Sequence, residues 1–224
     1  MILDVDGTLV DSNDAHARSW VDAFADHGIT VAYTDVRRSI GMGGDKLMPA
    51  VSGLAEESPE GRRIADRRAQ IFKTIWLPRL RGFPATRDLL QRFLRDGFVL
   101  AVASSAKEAE LQPLLEAADV SDLVTERTSA DDASNSKPDP DIVEAALVQT
   151  GCAAERAVMV GDTPYDVEAA RRAGVHVVAF ECGGWTARDL LGAGADEVYA
   201  DAADLLRRYT NSLFARFAAM QGKN

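Results

Sequence analysis

The sequence is poor in cysteine, in long apolar runs and in basic charge, and each shortage excludes a class of protein. Its two cysteines, Cys152 and Cys182, lack the spacing of a metal site or a disulfide framework. Without a run of about eighteen apolar residues, no membrane-spanning helix is expected. The formal net charge of −10 argues against a nucleic-acid partner, because such binding uses Lys and Arg against phosphate. The sequence opens without a basic and then apolar leader, so the expected location is the cytoplasm.

The composition is that of a protein with a sizeable buried core. A chain of 224 residues, 46% of them hydrophobic, fits one core domain that carries a smaller inserted lobe. Residues 14–27 have an apolar stripe of helical spacing that Gly28 ends, a glycine-rich loop covers residues 41–44, and residues 59–76 are again helical. We therefore predict a helical cap over residues 12–82, with hinges at residues 10–12 and 80–83, and a core built from residues 1–11 and 83–224.

From residue 83 onward, short apolar runs alternate with helical patterns. The runs are continuous rather than alternating, which is typical of strands buried on both faces of a parallel sheet. The predicted fold class is α/β, a doubly wound, Rossmann-like parallel sheet with right-handed crossovers. The strands are expected at residues 98–103, 123–124, 157–160, 175–180 and 197–199. The helices are expected at residues 87–95, 107–118, 139–150, 165–173 and 186–191, with a closing helix from residue 202.

Asp4 and Asp6 follow the first apolar residues of the chain. Only three residues precede Asp4, so the first strand is expected to be short or to begin upstream of Met1. If the stub is a strand, side chains two residues apart point the same way and the two carboxylates converge at its carboxyl end. Such a pair needs a metal ion, a lysine or a shared proton. The plainer interpretation is a turn with two solvated aspartates.

Polar residues stand at further predicted strand ends, where ligands bind in open parallel sheets. Ser104 and Ser105 follow one strand, Asp162 follows another, and Lys137 precedes a helix. Together with Asp166, the aspartates would bring up to four negative charges to one cleft, which a divalent cation and a lysine would make tolerable. Mg²⁺ suits such oxygen ligands, and a phosphate suits such a site. Each residue alone has an ordinary structural explanation, but their joint occurrence favours a functional site.

Four segments now carry a resemblance to a known family. Residues 4–12, 103–105, 136–141 and 160–166 resemble the four motifs of the haloacid dehalogenase-like hydrolase superfamily, and the helical insert resembles its first cap type. The resemblance spans residues 1 to about 206. Within the superfamily, the sequence resembles above all the branch of phosphoglycolate phosphatases and β-phosphoglucomutases. It implies a Mg²⁺-dependent enzyme acting on a small phosphorylated metabolite.

The resemblance also implies a role for each motif residue. Asp4 would attack phosphorus to form an aspartyl-phosphate, and Asp6 would serve as the general acid and then the general base. Ser104 and Lys137 would stabilise charge on the transferring group. Mg²⁺ would be coordinated by the Asp4 carboxylate, the Asp6 backbone carbonyl and Asp162. Asp166 would support these ligands, and Thr8 would position Asp6 and the hinge.

The choice within the family rests on fewer residues. A dehalogenase is disfavoured because family members of that kind use no metal and lack an acid/base aspartate at the position of Asp6. A mutase would need a basic cap-loop residue, usually Arg, for a second phosphate, and the loop offers Lys46 instead, which favours a phosphatase. Ser105, His16 and Lys46 are the expected substrate contacts, although His16 is as well explained by packing on Trp20. A non-catalytic phosphate-binding scaffold is the third reading, and the assembly is expected to be a monomer or a small homo-oligomer.

Overall fold

A six-stranded parallel sheet forms the centre of the protein. The computed structural model describes residues 1–221. The strands are β1 Ile2–Leu3, β2 Ala101–Ala103, β3 Glu126–Thr128, β4 Val158–Gly161, β5 His176–Phe180 and β6 Glu197–Tyr199. Their order, β3-β2-β1-β4-β5-β6, places β1 between β2 and β4 with every pair parallel. The predicted doubly wound α/β class is confirmed, and the carboxyl ends of three motif-bearing strands meet at one edge.

Successive strand residues supply opposite faces of this sheet, as the pleat requires. Leu3, Val102 and Val160 belong to one apolar cluster, whereas Ile2 and Met159 belong to the other. The first face is covered by α5 Thr86–Arg95, α6 Glu108–Ala117, α10 Ala202–Arg208 and α11 Leu213–Gln221. The second is covered by α7 Asp141–Thr150, α8 Pro164–Arg172 and α9 Ala187–Ala193. No helix within residues 1–221 has the length and apolar character needed to cross a membrane.

Four helices between β1 and α5 make a separate apolar cluster. They are α1 Asn13–Asp26, α2 Tyr33–Ser39, α3 Gly44–Ser52 and α4 Pro59–Ile71, followed by a π-helical turn Phe72–Trp76 and a 3₁₀ turn Leu77–Arg79. Trp20, Phe24, Val36 and Ile64 are buried among them. These helices are called the cap below. The cap lies at the carboxyl end of β1 because the chain enters it after Val10 and returns beside Val10 at Gly82.

The two connections between cap and sheet lie side by side. Val10 pairs with Gly82 in an antiparallel bridge. The backbone N–H of Phe83 donates to the Leu9 carbonyl at 3.0 Å, and that of Asp11 donates to the Arg81 carbonyl at 3.2 Å. Both segments named as hinges from the sequence take part in this pairing. The division into a core of residues 1–11 and 83–224 and a cap of residues 12–82 stays a prediction.

Three elements differ from the sequence-based expectation. The strand expected at residues 123–124 is wrong: Leu123 ends a turn, Val124 is buried in the segment after it, and β3 begins at Glu126. As an edge strand β3 is half-exposed and therefore polar, so its sequence carries no apolar signal. The second strand is shorter than expected, because Val99 is exposed and outside the ladder. The closing helix is interrupted by a 3₁₀ turn, Tyr209–Asn211, and the ring of Tyr209 packs on that of Phe214. Residues 222–224 lie outside the described part.

Candidate active site

The chain turns sharply after β1, and the turn depends on a glycine. The backbone N–H of Asp4 still donates to the Val160 carbonyl at 2.9 Å, which fixes this residue to β4. Gly7 has φ +81°, a left-handed conformation that glycine adopts without strain. A Cβ at this position would lie 2.3 Å from Oδ2 of Asp162. The absent side chain therefore lets the end of β4 bring its carboxylate against the β1 turn.

Three buried carboxylates and one buried lysine meet at this point. The Lys137 ammonium lies 2.6 Å from Asp4 and 2.7 Å from Asp166, and it also donates to the Ala103 carbonyl at 2.9 Å. Burial alone would lower the pKa of Lys137, but the charges of Asp166 and Asp4 hold that pKa above its ordinary value. One cation thus stands among Asp4, Asp162 and Asp166, which leaves an excess of negative charge.

The excess charge is visible in the carboxylate pKa values. Burial, followed by the charge of Asp166, raises the pKa of Asp4 to about 7 despite the neighbouring Lys137. Burial, followed by Asp166 and Asp4, raises the pKa of Asp162 well above its usual range, although Thr8 and Asn13 donate hydrogen bonds to it. Three carboxylates in this setting do not all ionise without a further cation.

The same group has the donor chemistry of a divalent-cation site. Carboxylate oxygens of Asp4, Asp162 and Asp166 lie within 4.8 Å of one another, and all three residues are buried. Oxygen ligands of this kind suit a hard cation. Asp162 is also tightly enclosed: a Cβ on Gly183 would lie 1.7 Å from its Oδ2. The residues present therefore fit the metal that the resemblance implies.

The second aspartate of the pair has different neighbours. Oδ1 of Asp6 accepts hydrogen bonds from the Ser12 hydroxyl and from Nε2 of His16, the latter at 2.7 Å. Burial alone would raise the pKa of Asp6, but His16, the Ser12 hydroxyl and the charge of Arg68 hold it below its ordinary value. Asp4 and Asp6 thus lie in different surroundings: Asp4 is among carboxylates beside Lys137, whereas Asp6 accepts from Ser12 and His16.

Arg68 determines which nitrogen of His16 carries the proton. Its guanidinium contacts Nδ1 of His16 at 2.8 Å, and a guanidinium only donates, so Nδ1 accepts. Nε2 then carries the hydrogen and donates it to Asp6. The His16 ring stacks on Phe72 at 4.0 Å between centroids, and not on Trp20 as the packing alternative supposed. Arg68 is itself held by Glu110 of α6 through two hydrogen bonds of 2.7 and 2.9 Å.

Several predicted residues lie elsewhere than expected. The Thr8 hydroxyl lies between Asp4, at 3.2 Å, and Asp162, at 2.9 Å, and not beside Asp6, because the turn directs residue 8 back toward β4. Lys46 does not line the cavity described below: its ammonium contacts the Ser136 carbonyl and, at 2.7 Å, the Asp139 carboxylate. The expected substrate contact of Lys46 is therefore replaced by a bond between cap and core.

The two serines after β2 also differ from each other. Ser104 is fully buried and its hydroxyl oxygen accepts from the backbone N–H of Ala106 at 3.0 Å. Ser105 donates to the Gly41 carbonyl of the cap at 3.1 Å and faces the cavity. Thr163 is the N-cap of α8, and Asp166 accepts from its backbone N–H and hydroxyl to complete a capping box. The position of Asp166 therefore has a structural reason besides the shared charge.

A cavity of about 100 Å³ lies between this edge of the sheet and the cap. It is called the catalytic cavity below, and the residues of its lining that matter here are Asp4, Asp6, His16, Glu56, Arg68 and Glu110. The cap is closed over it through the bonds of Lys46, Ser105 and Arg68 given above and through Arg37, which donates to the Gly183 carbonyl at 2.6 Å. A cavity of this size admits only a small molecule.

Comparison with known proteins agrees with this geometry. The family model described as "Haloacid dehalogenase-like hydrolase" matches residues 1–180. The chain belongs to the haloacid dehalogenase-like hydrolase family. The recognition from four sequence motifs is confirmed, and so is the prediction of an enzyme.

Individual members of the family match along nearly the full chain. A protein of Rhodospirillum rubrum named "Phosphoglycolate phosphatase" is 30% identical over 92% of this chain and 88% of its own length. "Probable phosphatase IndB" of Dickeya dadantii is 29% identical over 90% of this chain and 88% of its own length. The crystal structure of a hydrolase from Pseudomonas syringae superposes with a TM-score of 0.87 at 28% identity, covering 94% of this chain and 97% of that one.

Sequence reasoning missed three residues of this haloacid dehalogenase-like hydrolase: Asn13 beside the carboxylate group, and Arg68 and Glu110 at the cavity. Asn13 donates to Asp162 at 2.9 Å, and its position right after the first motif was an available signal. Arg68 and Glu110 lie in separate helices that only the closed cap brings together. Neither belongs to a motif, so nothing in their local sequence distinguishes them from surface charges.

Proposed function

We propose that this chain is a Mg²⁺-dependent phosphatase that hydrolyses a small phosphomonoester through an aspartyl-phosphate. The observation that carries the proposal is the contrast between Asp4 and Asp6. One lies against a buried lysine among further carboxylates, and the other accepts from His16 and Ser12. Two aspartates set apart in this way suit a nucleophile and an acid–base group.

In the first step an oxygen of Asp4 forms a bond to phosphorus while the bond from phosphorus to the leaving oxygen breaks, and Asp6 gives that oxygen its proton. In the second step water attacks the aspartyl-phosphate, Asp6 takes the proton of the water, and phosphate leaves from Asp4. The hydrogen bonds that Asp6 accepts suit its carboxylate form in the second step. The charge of a bound phosphate favours the protonated form that the first step needs.

The remaining residues act on charge and position. Mg²⁺, held by Asp4, Asp162 and the backbone carbonyl of Asp6, would neutralise charge on the phosphoryl oxygens. Lys137 would do the same from its place beside Asp4, and Asp166 holds Lys137 there. Ser104 would donate to a phosphoryl oxygen, and Ser105 and His16 border the substrate. The choice of Mg²⁺ over other hard cations rests on this oxygen donor set.

The small cavity and the names of the relatives support a small substrate, of the phosphoglycolate or sugar-phosphate kind. A mutase needs a free basic group for a second phosphate. Lys46 is engaged with Asp139 and Arg68 with Glu110, so the geometry favours the phosphatase. A cytoplasmic location and a monomeric or small homo-oligomeric state remain predictions.

The test is Mg²⁺-dependent release of phosphate from p-nitrophenyl phosphate by the wild-type chain and by Asp4→Asn. We expect Asp4→Asn to lose at least about a thousandfold in kcat, since no nucleophile remains. Asp11→Asn, the same change at a neighbouring exposed aspartate, is the control and should retain activity. Turnover that survives Asp4→Asn contradicts the assignment. Isomerisation of a sugar phosphate without net phosphate release would establish the mutase instead, and binding without turnover on a panel of phosphate esters would establish the scaffold.

A further inference from the structure

The walls of the catalytic cavity carry more negative than positive charge, even without the reacting aspartates. Its lining includes three further carboxylates, those of Glu56, Asp66 and Glu110, and two cationic side chains, those of Arg68 and Lys107. Arg68 and Glu110 neutralise each other, and both side chains are largely buried, at 16% and 11% exposed. Of the rest, Asp66 and Lys107 are exposed to solvent whereas Glu56 is half-buried. The least solvated uncompensated charge near the substrate is therefore the Glu56 carboxylate.

Close packing of two glycines holds Glu56 at the cavity. A Cβ on Gly44 would lie 2.7 Å from Oε1 of Glu56, so the side chain occupies space that glycine leaves free. A Cβ on Gly61 would lie 2.8 Å from the Glu56 backbone carbonyl, so α4 packs directly on the segment that carries it. A side chain at Gly44 would move the carboxylate, and one at Gly61 would push the backbone of residues 55–56 away from α4. The Glu56 carboxylate thus lies close against Gly44 at the wall of the cavity.

The Glu56 carboxylate makes no hydrogen bond or ion pair with any other residue in the part of the chain that the structure describes. Burial raises its pKa; Lys107 opposes this, and the charges of Asp45 and Glu57 add to it. A half-buried carboxylate is only partly hydrated, and a hydroxyl group that donated to it would supply the missing hydrogen bond. The cavity therefore offers an unpartnered acceptor to whatever occupies it.

We infer that the substrate of this chain is the phosphate ester of a small hydroxylated alcohol, a polyol or a sugar, and that Glu56 binds a hydroxyl of the leaving group and selects against a carboxylate there. The inference rests on the proposed phosphatase function and narrows it. Phosphoglycolate and other phosphorylated acids would bring a second negative charge toward Glu56. The guanidinium of Arg68 would not neutralise that charge, because it is already paired with Glu110.

Charge and hydrogen bonding act in the same direction. A like charge on the wall of a half-buried site lowers affinity by about tenfold. An acceptor that loses its hydroxyl donor adds to the discrimination, because the polar group is then left unpaired. We therefore expect kcat/KM to favour the alcohol over the matching acid by at least about tenfold.

The experiment uses substrate pairs that differ only in hydroxymethyl against carboxylate: hydroxyethyl phosphate against phosphoglycolate, and glycerol phosphate against phosphoglycerate. The ratio of kcat/KM is measured with Mg²⁺ for the wild type, for Glu56→Gln and for Glu57→Gln. Glu57 is the neighbouring exposed glutamate and does not line the catalytic cavity, so it serves as the matched control. Binding of the same pairs to Asp4→Asn by calorimetry gives the preference independently of turnover.

We expect the alcohol-to-acid ratio to exceed about ten in the wild type, to fall toward one in Glu56→Gln and to be unchanged in Glu57→Gln. Equal or better use of the acids by the wild type overturns the inference, and so does an unchanged ratio in Glu56→Gln. Failure of the phosphatase proposal looks different: no phosphate is released even from p-nitrophenyl phosphate. In that case the calorimetric preference of Asp4→Asn still supports or overturns the role of Glu56.

Discussion

Arg68 joins the cap, the acid–base aspartate and the core, and a double-mutant cycle with Glu110 tests that joint role. Arg68→Met removes both hydrogen bonds of a Glu110 carboxylate that is 11% exposed. Leaving such a charge unpaired costs about 3 kcal/mol. For a chain of this size that corresponds to a fall in Tm of about 6–12 °C. Thermal unfolding followed by circular dichroism measures it.

The second variant of the cycle separates the pair from the site. Adding Glu110→Gln to Arg68→Met removes the unpaired charge, so we expect about 2 kcal/mol of stability to return. Activity should not return, because His16 still lacks the donor that fixes its tautomer. We expect kcat to stay at least about tenfold below wild type in both variants.

The pH profile identifies the route of the effect. Arg68 is one of the groups that hold the pKa of Asp6 below its ordinary value. Without it that pKa rises, so the limb of the kcat/KM profile that Asp6 controls moves to higher pH, whether Asp6 gives or takes the proton. Arg67→Met, at the exposed neighbour that pairs with Asp26, should change neither Tm nor profile appreciably. The reasoning is refuted if the double variant is no more stable than Arg68→Met, or if the Arg68→Met profile coincides with that of the wild type.

Two further predictions concern the metal group and the cap. Gly183→Ala should raise the Mg²⁺ concentration needed for half-maximal activity by at least about tenfold, because its Cβ would displace the Asp162 carboxylate; Gly192→Ala, with nothing within 4 Å of its Cβ, should leave the Mg²⁺ titration unchanged. Glu56→Gln should raise Tm at neutral pH, since a carboxyl whose pKa is raised on folding opposes folding once it is charged. That gain is fully present above the folded pKa and disappears as the pH falls below the ordinary value of 4.5, and equal Tm values across the range would contradict it.

The four motifs were predictable because the pattern that groups their residues is local. Asp4 and Asp6 are two residues apart, and each of the other motif residues directly follows or precedes a segment with a strong periodic signal. Placing Ser105, Lys137 and Asp162 at one edge then required only that parallel strands share a carboxyl end. The chemistry of the site was therefore contained in short stretches of sequence.

The shape of the cavity was not predictable in this way. Arg68 meets Glu110 across 42 positions of sequence, and Lys46 contacts Asp139 and does not line the cavity. Both contacts arise because α3 and α4 pack against the core. Tertiary packing decides which face of an amphipathic cap helix sees the cavity, and the periodic pattern does not distinguish among its polar residues. The position of the edge strand β3 was predicted wrongly for a related reason, because half-exposed edge strands favour polar residues over an apolar run.

The paired crossings at Val10 and Gly82 bear on how this protein can change over evolutionary time. The segment between them begins and ends at neighbouring points that backbone hydrogen bonds already hold together. Insertions, deletions or wholesale exchange of that segment need not stretch the chain or reposition β1. Any such exchange must keep Ser12, Asn13, His16 and Arg68, because these residues of the segment hold Asp6 and Asp162 in place.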